Sequence, residues 1–263
     1  MPSLVGSEMC IRDRIYSGNH YEAAEVGSFG KVRIVSGINP QSFCFTLESG
    51  ESFEAPEAVM TYASDGYNAM SQNMHRFVRE HIVRGTWKKK ERPVLLNSWE
   101  AAYFDINERK LLSLAKAGKE AGIELFVMDD GWFGKRDDDN SSLGDWFVNE
   151  KKLGGTLSEL IDRVHAQGVK FGIWIEPEMV NEDSNLYREH PDWAIQIPGK
   201  LPVRSRNQLI LDFSRKEVRD NIFDQICAVF DQGKIDYVKW DMNRSMADVY
   251  AGCLLYTSPS PRD

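Results

Sequence analysis

Hydrophobic and polar positions follow two different rhythms along this chain. Up to about Ala63 the apolar residues come in short runs, 31–35 and 42–47, separated by Gly, Ser, Asn and Pro turns. Alternation and runs of that length are the mark of strands, so residues 15–66 read as the end of a β domain. Met70, Met74, Phe77, Val78 and Ile82 then fall at helical spacing, and Gly85 closes the segment before the cationic stretch 88–90. This spacing predicts a linker helix and a solvated turn within 67–92.

After Pro93 the pattern becomes apolar strand, helix, glycine, apolar strand, repeated as far as residue 252. Strands are expected at 94–96, 125–128, 171–175 and 237–240, with helices near 106–121, 157–167 and 216–231 and a short apolar run at 208–211. Thr156 with Glu159, and Ser214 with Glu217, have the spacing of a capping box. Gly122, Gly168 and Gly233 stand where left-handed C-caps belong. Buried parallel strands begin either a doubly wound sheet or an eight-stranded barrel. Here the strand ends carry Asn97 and Trp99, Asp129 and Asp130, Glu176 and Glu178, Asp241 and Asn243, and no glycine-rich phosphate turn follows the first strand. The expectation is an α/β fold: the first half (strands 1–4) of a (β/α)8 TIM barrel over 93–252, preceded by the end of an N-terminal β-sandwich domain.

Composition narrows the partner. The 263 residues carry 32 Lys+Arg against 40 Asp+Glu, a formal charge of −8 that disfavours nucleic acid and anionic membrane surfaces. No apolar run approaches the roughly 18 residues that span a bilayer. A soluble protein acting on a small molecule is expected. The two ends share a hidden relation, because residues 253–263 can be back-translated so that the reverse complement, one frame over, encodes residues 4–14. Residues 1–14 and 253–263 are therefore read as translated sequencing adapter without regular structure, and 15–252 as an internal piece of a longer gene. Cys44 and Cys227 remain as two buried free thiols with no metal or redox spacing, which suits a reducing cytoplasm.

Nothing matches a Walker loop, a dinucleotide fingerprint, a zinc pattern or a nucleophile elbow. His165 lies mid-helix and reads as a surface or packing residue. Met128-Asp-Asp-Gly-Trp132 sets two acids at a strand end beside an indole. Carboxylates accept paired hydrogen bonds from adjacent sugar hydroxyls, and an aromatic face packs on the C–H patch of the ring. The same residues also suit a capping turn on Asp130 with Asp129 paired to a base. Lys239 and Asp241 share a strand face, since side chains alternate with period two, and Asn243 continues it. A neighbouring cation keeps an acid ionised, as a carboxylate nucleophile requires; a structural salt bridge is the competing account. Glu176 and Glu178 flank a proline and suit a strand cap. Asp137-Asp-Asp-Asn140 lacks calcium-loop spacing and reads as a solvated turn.

Together, Asn97-Ser-Trp-Glu100, Met128-Asp-Asp-Gly-Trp-Phe133, Gly172-Ile-Trp-Ile-Glu-Pro-Glu-Met-Val180, Arg206-Asn-Gln-Leu-Ile-Leu-Asp-Phe-Ser214 and Val238-Lys-Trp-Asp-Met-Asn243 resemble the glycoside hydrolase family 36 α-galactosidases, over essentially all of 15–252. The resemblance implies a whole protein with an N-terminal β-supersandwich, a central barrel and a C-terminal β domain. It implies retaining, exo-acting release of terminal α-galactose from raffinose-type oligosaccharides and melibiose, no metal or organic cofactor, and a homo-oligomer. By motif it assigns Asp241 as nucleophile, Asp129 and Asp130 to the galactose 4- and 6-hydroxyls, and Lys239 to a ring hydroxyl. Trp99, Trp174, Arg206 and Asn243 complete the pocket wall. The family's acid/base Asp belongs to a later strand, beyond residue 252, and retaining hydrolysis needs two carboxyls about 5–5.5 Å apart. This chain alone is therefore expected to be inactive. A family-36 α-N-acetylgalactosaminidase or galactosyl transferase, or a non-catalytic galactoside-binding relative, fits the same motifs.

Overall fold

The computed structural model describes residues 9–14, 19–40, 43 and 45–246, and the chain divides into two compact units between Arg92 and Pro93. The first contains β1 (Met9–Arg14), β2 (His20–Val26), β3 (Val32–Ile38), β4 (Ala58–Tyr62) and α1 (Gly66–Phe77). β1 pairs antiparallel with β4. β2 and β3 form a hairpin in unbroken register from His20 opposite Ile38 to Val26 opposite Val32. The expectation that 1–14 lacks regular structure therefore fails for Met9–Arg14. Those residues are a strand by virtue of pairing with a distant edge, which local periodicity does not reveal. The stretch 42–47 forms no strand among its described residues, and Cys44 lies outside them. α1 begins at Gly66, runs into a wider π-helical turn at Val78–Ile82, and buries only Met74.

The second unit contains β5 (Leu95–Asn97), α2 (Trp99–Ala102), α3 (Glu108–Glu120), β6 (Leu125–Met128), α4 (Glu150–Leu153), α5 (Leu157–Ala166), β7 (Lys170–Ile175), β8 (Met179–Val180), α6 (Asn185–Glu189), β9 (Leu209–Ile210), α7 (Lys216–Phe230) and β10 (Tyr237–Trp240). β5, β6, β7 and β10 form one parallel sheet in the order β10-β7-β6-β5, the four following one another across the sheet in the order they occur in the chain, with β8 and β9 paired apart. A doubly wound sheet reverses its order at a switch point; succession without reversal is how a barrel is wound. The fold is α/β, the opening strands of a TIM barrel. β6 is buried along its whole length, as a parallel strand covered on both faces must be. The register sets Asn97 beside Val127, Met128 beside Ile173 and Trp240 beside Ile175. Asn97, Asp129, Glu176 and Asp241 consequently emerge together at the carboxyl-terminal rim.

The helices between the strands pack by their apolar stripes: Leu111 and Ala115 in α3, Leu157, Leu160, Ile161 and Val164 in α5, Val218, Ile222, Ile226 and Val229 in α7. The capping box at Thr156 and Glu159 is formed in both directions. Its proposed counterpart is not. α7 starts at Lys216 with Arg215 as its N-cap and no side-chain cap, because Ser214 Oγ is held by Asp212 Oδ1 and Glu217 by Arg215. Gly122 and Gly168 adopt the left-handed conformation, at φ +92° and +73°, but Gly233 does not. A Cβ there would lie 2.7 Å from Ile161 Cδ1, the tip of a side chain that would have to shift, so close packing rather than a positive φ favours that glycine. Cys227 is free but only half-buried, since it sits beside the α7 stripe rather than on it.

Candidate active site

Two carboxylates meet over one ammonium group at the strand ends. Trp174 Nε1 donates to Asp241 Oδ2 at 2.8 Å, and Lys239 Nζ lies 3.4 Å from the same oxygen. Met242 N donates to Asp241 Oδ1 at 3.0 Å. The same Lys239 ammonium is 2.8 Å from Asp129 Oδ2, which also accepts from Asn97 Nδ2 at 2.5 Å. Burial alone would raise the Asp241 carboxyl; the Trp174 indole N–H, the Lys239 charge and the Met242 amide outweigh it and hold Asp241 below its usual range. Burial likewise opposes charge on Lys239, yet hydrogen bonds and charge from Asp129 and Asp241 raise it. Lys239 and Asp241 keep each other ionised.

Asp130 faces a different cation. Arg136, only 1% exposed, donates Nε to Asp130 Oδ1 at 3.0 Å and Nη2 to Oδ2 at 2.8 Å. Its Nη1 donates to Ser141 O and Asn181 Oδ1. Burial pushes the Asp130 carboxyl up, against the pull of the guanidinium. Arg136 Nη2 also approaches Asp139 Oδ1 at 3.4 Å, and Arg206 Nη2 approaches the same oxygen at 3.3 Å. The acidic run 137–140 is thus no purely solvated turn: Asp139 joins Arg206, on an exposed loop, to the Asp130 pair.

Trp99 is half-buried, its ring edge-on to Tyr103 and Phe104 and its amide held by Asn97 Oδ1 at 2.7 Å. Trp174 is buried, stacked on Phe133, with its N–H turned to Asp241. Trp132 offers no face to a sugar, because it is wholly buried against Phe133 and Trp146 and its Nε1 donates to Trp174 O. Asn243 N donates to Glu176 Oε1 at 2.5 Å. Asp129, Asp130, Trp99, Trp174, Arg206, Lys239, Asp241 and Asn243 therefore lie in one neighbourhood, linked through Asn97, Arg136, Asp139 and Glu176. Among the described residues, no group of three or more His, Cys, Asp or Glu is arranged to hold a metal ion, and no helix is long and apolar enough to cross a membrane.

The melibiase family profile matches residues 52–259, and that of the glycosyl hydrolase family 36 N-terminal domain matches residues 11–48. The chain belongs to the melibiase family. It is 64% identical to the bifunctional α-galactosidase/sucrose kinase of Mediterraneibacter gnavus over 92% of this chain and 26% of that protein. It is 52% identical to an α-galactosidase of Lactobacillus acidophilus over 89% of this chain and 32% of that protein. The galactosidase domain of the first, as a solved structure, superposes with a TM-score of 0.87 at 62% identity, covering 94% of this chain and 34% of that one. A variant family-36 α-galactosidase of Geobacillus stearothermophilus, solved in complex with raffinose, gives 0.87 at 49% identity, covering 92% and 34%. The chain thus spans about a quarter to a third of the length of these relatives.

Within this member of the melibiase family, sequence reasoning missed Arg136 and Arg244. Both sit among polar residues, yet Arg244 is 5% exposed and its Nη1 donates to Gln208 O and Val203 O, fastening the loop that carries Arg206. Neither burial has a local signal.

Proposed function

We propose that this chain is the nucleophile-bearing part of a retaining exo-α-galactosidase that releases terminal α-linked galactose from raffinose-type oligosaccharides. The observation that carries this reading is Asp241, held ionised by Lys239 and by the Trp174 indole at the barrel rim. Asp241 attacks the anomeric carbon from the β face as the glycosidic C–O bond breaks, giving a β-linked glycosyl-enzyme. The departing alcohol takes its proton from an Asp of a later strand, outside residues 93–252. Water, deprotonated by that same Asp, then displaces Asp241 and restores the α configuration. Asp129 and Asp130 hold the 4- and 6-hydroxyls. Both Asp130 oxygens already accept from Arg136, but a carboxylate offers about four lone-pair sites, so acceptors remain for hydroxyls. Lys239, Trp99, Trp174, Arg206 and Asn243 border the ring. The deciding test uses the full-length protein with raffinose and with an aryl α-N-acetylgalactosaminide. Hydrolysis of raffinose with α-galactose formed first, by NMR, supports the reading; preference for the second substrate or binding without hydrolysis overturns it.

A pH prediction follows from Lys239. The ionised nucleophile is the active form, and its lowered pKa lets it persist as pH falls. Lys239→Met removes a cation 3.4 Å away, so the acidic limb of kcat/KM should move to higher pH. A limb that stays in place would show that Lys239 does not keep Asp241 charged.

A further inference from the structure

Among the described residues, Glu176 is the one carboxyl at the rim with no exposed surface, so it reaches neither solvent nor a sugar. Its surroundings show what it does instead. β7 and β10 pair in parallel up to Ile175 beside Trp240, and the last backbone rung is Asp241 N to Ile175 O at 2.9 Å. The next amide of the β10 side that faces β7 is that of Asn243. By then β7 has broken into the turn at Pro177 and Glu178. The Glu176 side chain fills the gap: its Oε1 accepts from Asn243 N at 2.5 Å, while Gln208 Nε2 holds its Oε2 at 3.3 Å. On the other side of Asp241, Glu178 accepts from Trp240 Nε1 at 2.9 Å. The nucleophile is bracketed, with the residue before it and the second residue after it both held by the end of β7.

We infer that Glu176 is a positioning residue for the reaction proposed above: its carboxyl oxygen replaces the missing ladder carbonyl and fixes the strand-end turn on which Asp241 attacks. This rests on the α-galactosidase reading, with Asp241 as nucleophile. What the task needs is an acceptor at the right reach, and charge is dispensable. Burial raises the Glu176 carboxyl against the hydrogen bonds from Asn243, with Asp241 and Asp130 adding to the rise, so a neutral side chain suits the place.

Two conservative variants of the full-length protein separate reach from charge. Glu176→Gln keeps the acceptor at full length and loses the charge; Glu176→Asp keeps the charge and withdraws the oxygen by one methylene. The expectation is that Glu176→Gln retains most of kcat, whereas Glu176→Asp loses about 10- to 100-fold, the cost of misplacing a reacting group by an ångström or less. The loss in Glu176→Asp should be larger in kcat than in KM, because Glu176 holds Asn243 beside the ring but not the Asp129 and Asp130 carboxylates proposed to grip the sugar hydroxyls. Glu176→Asp matching wild type, Glu176→Gln falling as far as Glu176→Asp, or either acting through KM alone overturns the inference. An inactive wild-type protein would instead overturn the α-galactosidase reading itself, so the two failures are distinguishable.

Discussion

Replacing Asp241 with glycine in the full-length protein is expected to lower kcat by on the order of 10⁴-fold or more, roughly 5.4 kcal/mol of transition-state stabilisation, and azide is expected to restore part of the turnover. The substitution removes a carboxylate but leaves donors, among them Trp174 Nε1, Lys239 Nζ and Met242 N, around the vacated space. Donors converging on an emptied anion position suit a small external anion. Azide there attacks an activated α-galactoside from the β face, so the product should be β-galactosyl azide, identified by NMR. A structural salt bridge behaves otherwise: its loss lowers stability and leaves no anion in line with the anomeric carbon. Recovery of an α-azide, or near-normal hydrolysis by the glycine variant, would remove Asp241 from the role. Neither neighbouring acid would replace it readily, since Glu176 has no exposed surface and Glu178 is engaged by Trp240.

The strands and helices of the second unit were legible because their signals are local. A parallel strand buried on both faces is a short apolar run, as Leu125–Met128 is, and an amphipathic helix repeats every three to four residues, as Leu157–Ala166 does. Strand ends were legible for the same reason, and they delivered Asp129, Lys239 and Asp241 to one place. Failures came where a distant partner decides the structure. Met9–Arg14 became a strand through β4, Ser214 was drawn from its capping role by Asp212, and Gly233 answers to Ile161 across the fold. Polar side chains were hardest. Trp132 and Trp174 look alike in sequence beside their acids, yet one ends in the core and the other aims its N–H at Asp241. Arg136 is followed at once by three aspartates, a pattern typical of solvated surface. The Asp130 carboxylate, Ser141 O and Asn181 Oδ1, all closing onto it, explain its burial.

Arg136→Met should destabilise the protein by about 3–5 kcal/mol at neutral pH, the usual consequence of leaving one partner of a buried ion pair behind. Arg136 and Asp130 are both buried, and the guanidinium engages both carboxylate oxygens. With Arg136 gone, only the Gly131 backbone amide opposes the burial that already raises the Asp130 pKa, and the folded protein favours the neutral acid. The sign of the pH dependence follows. An acid whose folded pKa lies above its unfolded value is destabilising once pH exceeds both, and the penalty is relieved as pH falls through the folded value. The gap between wild type and Arg136→Met should therefore be widest near neutrality and narrow in acid, measured by urea unfolding across that range. Adding Asp130→Asn to Arg136→Met should recover much of the loss, because the buried charge goes with it, whereas Asp130→Asn alone strands a guanidinium that cannot deprotonate. On galactosides the single Arg136 variant should also raise KM, because a protonated, unanchored Asp130 no longer presents its acceptors to the sugar. A loss below about 1 kcal/mol, the scale of an exposed pair, with no change across pH, would show that Asp130 holds its charge and position without Arg136.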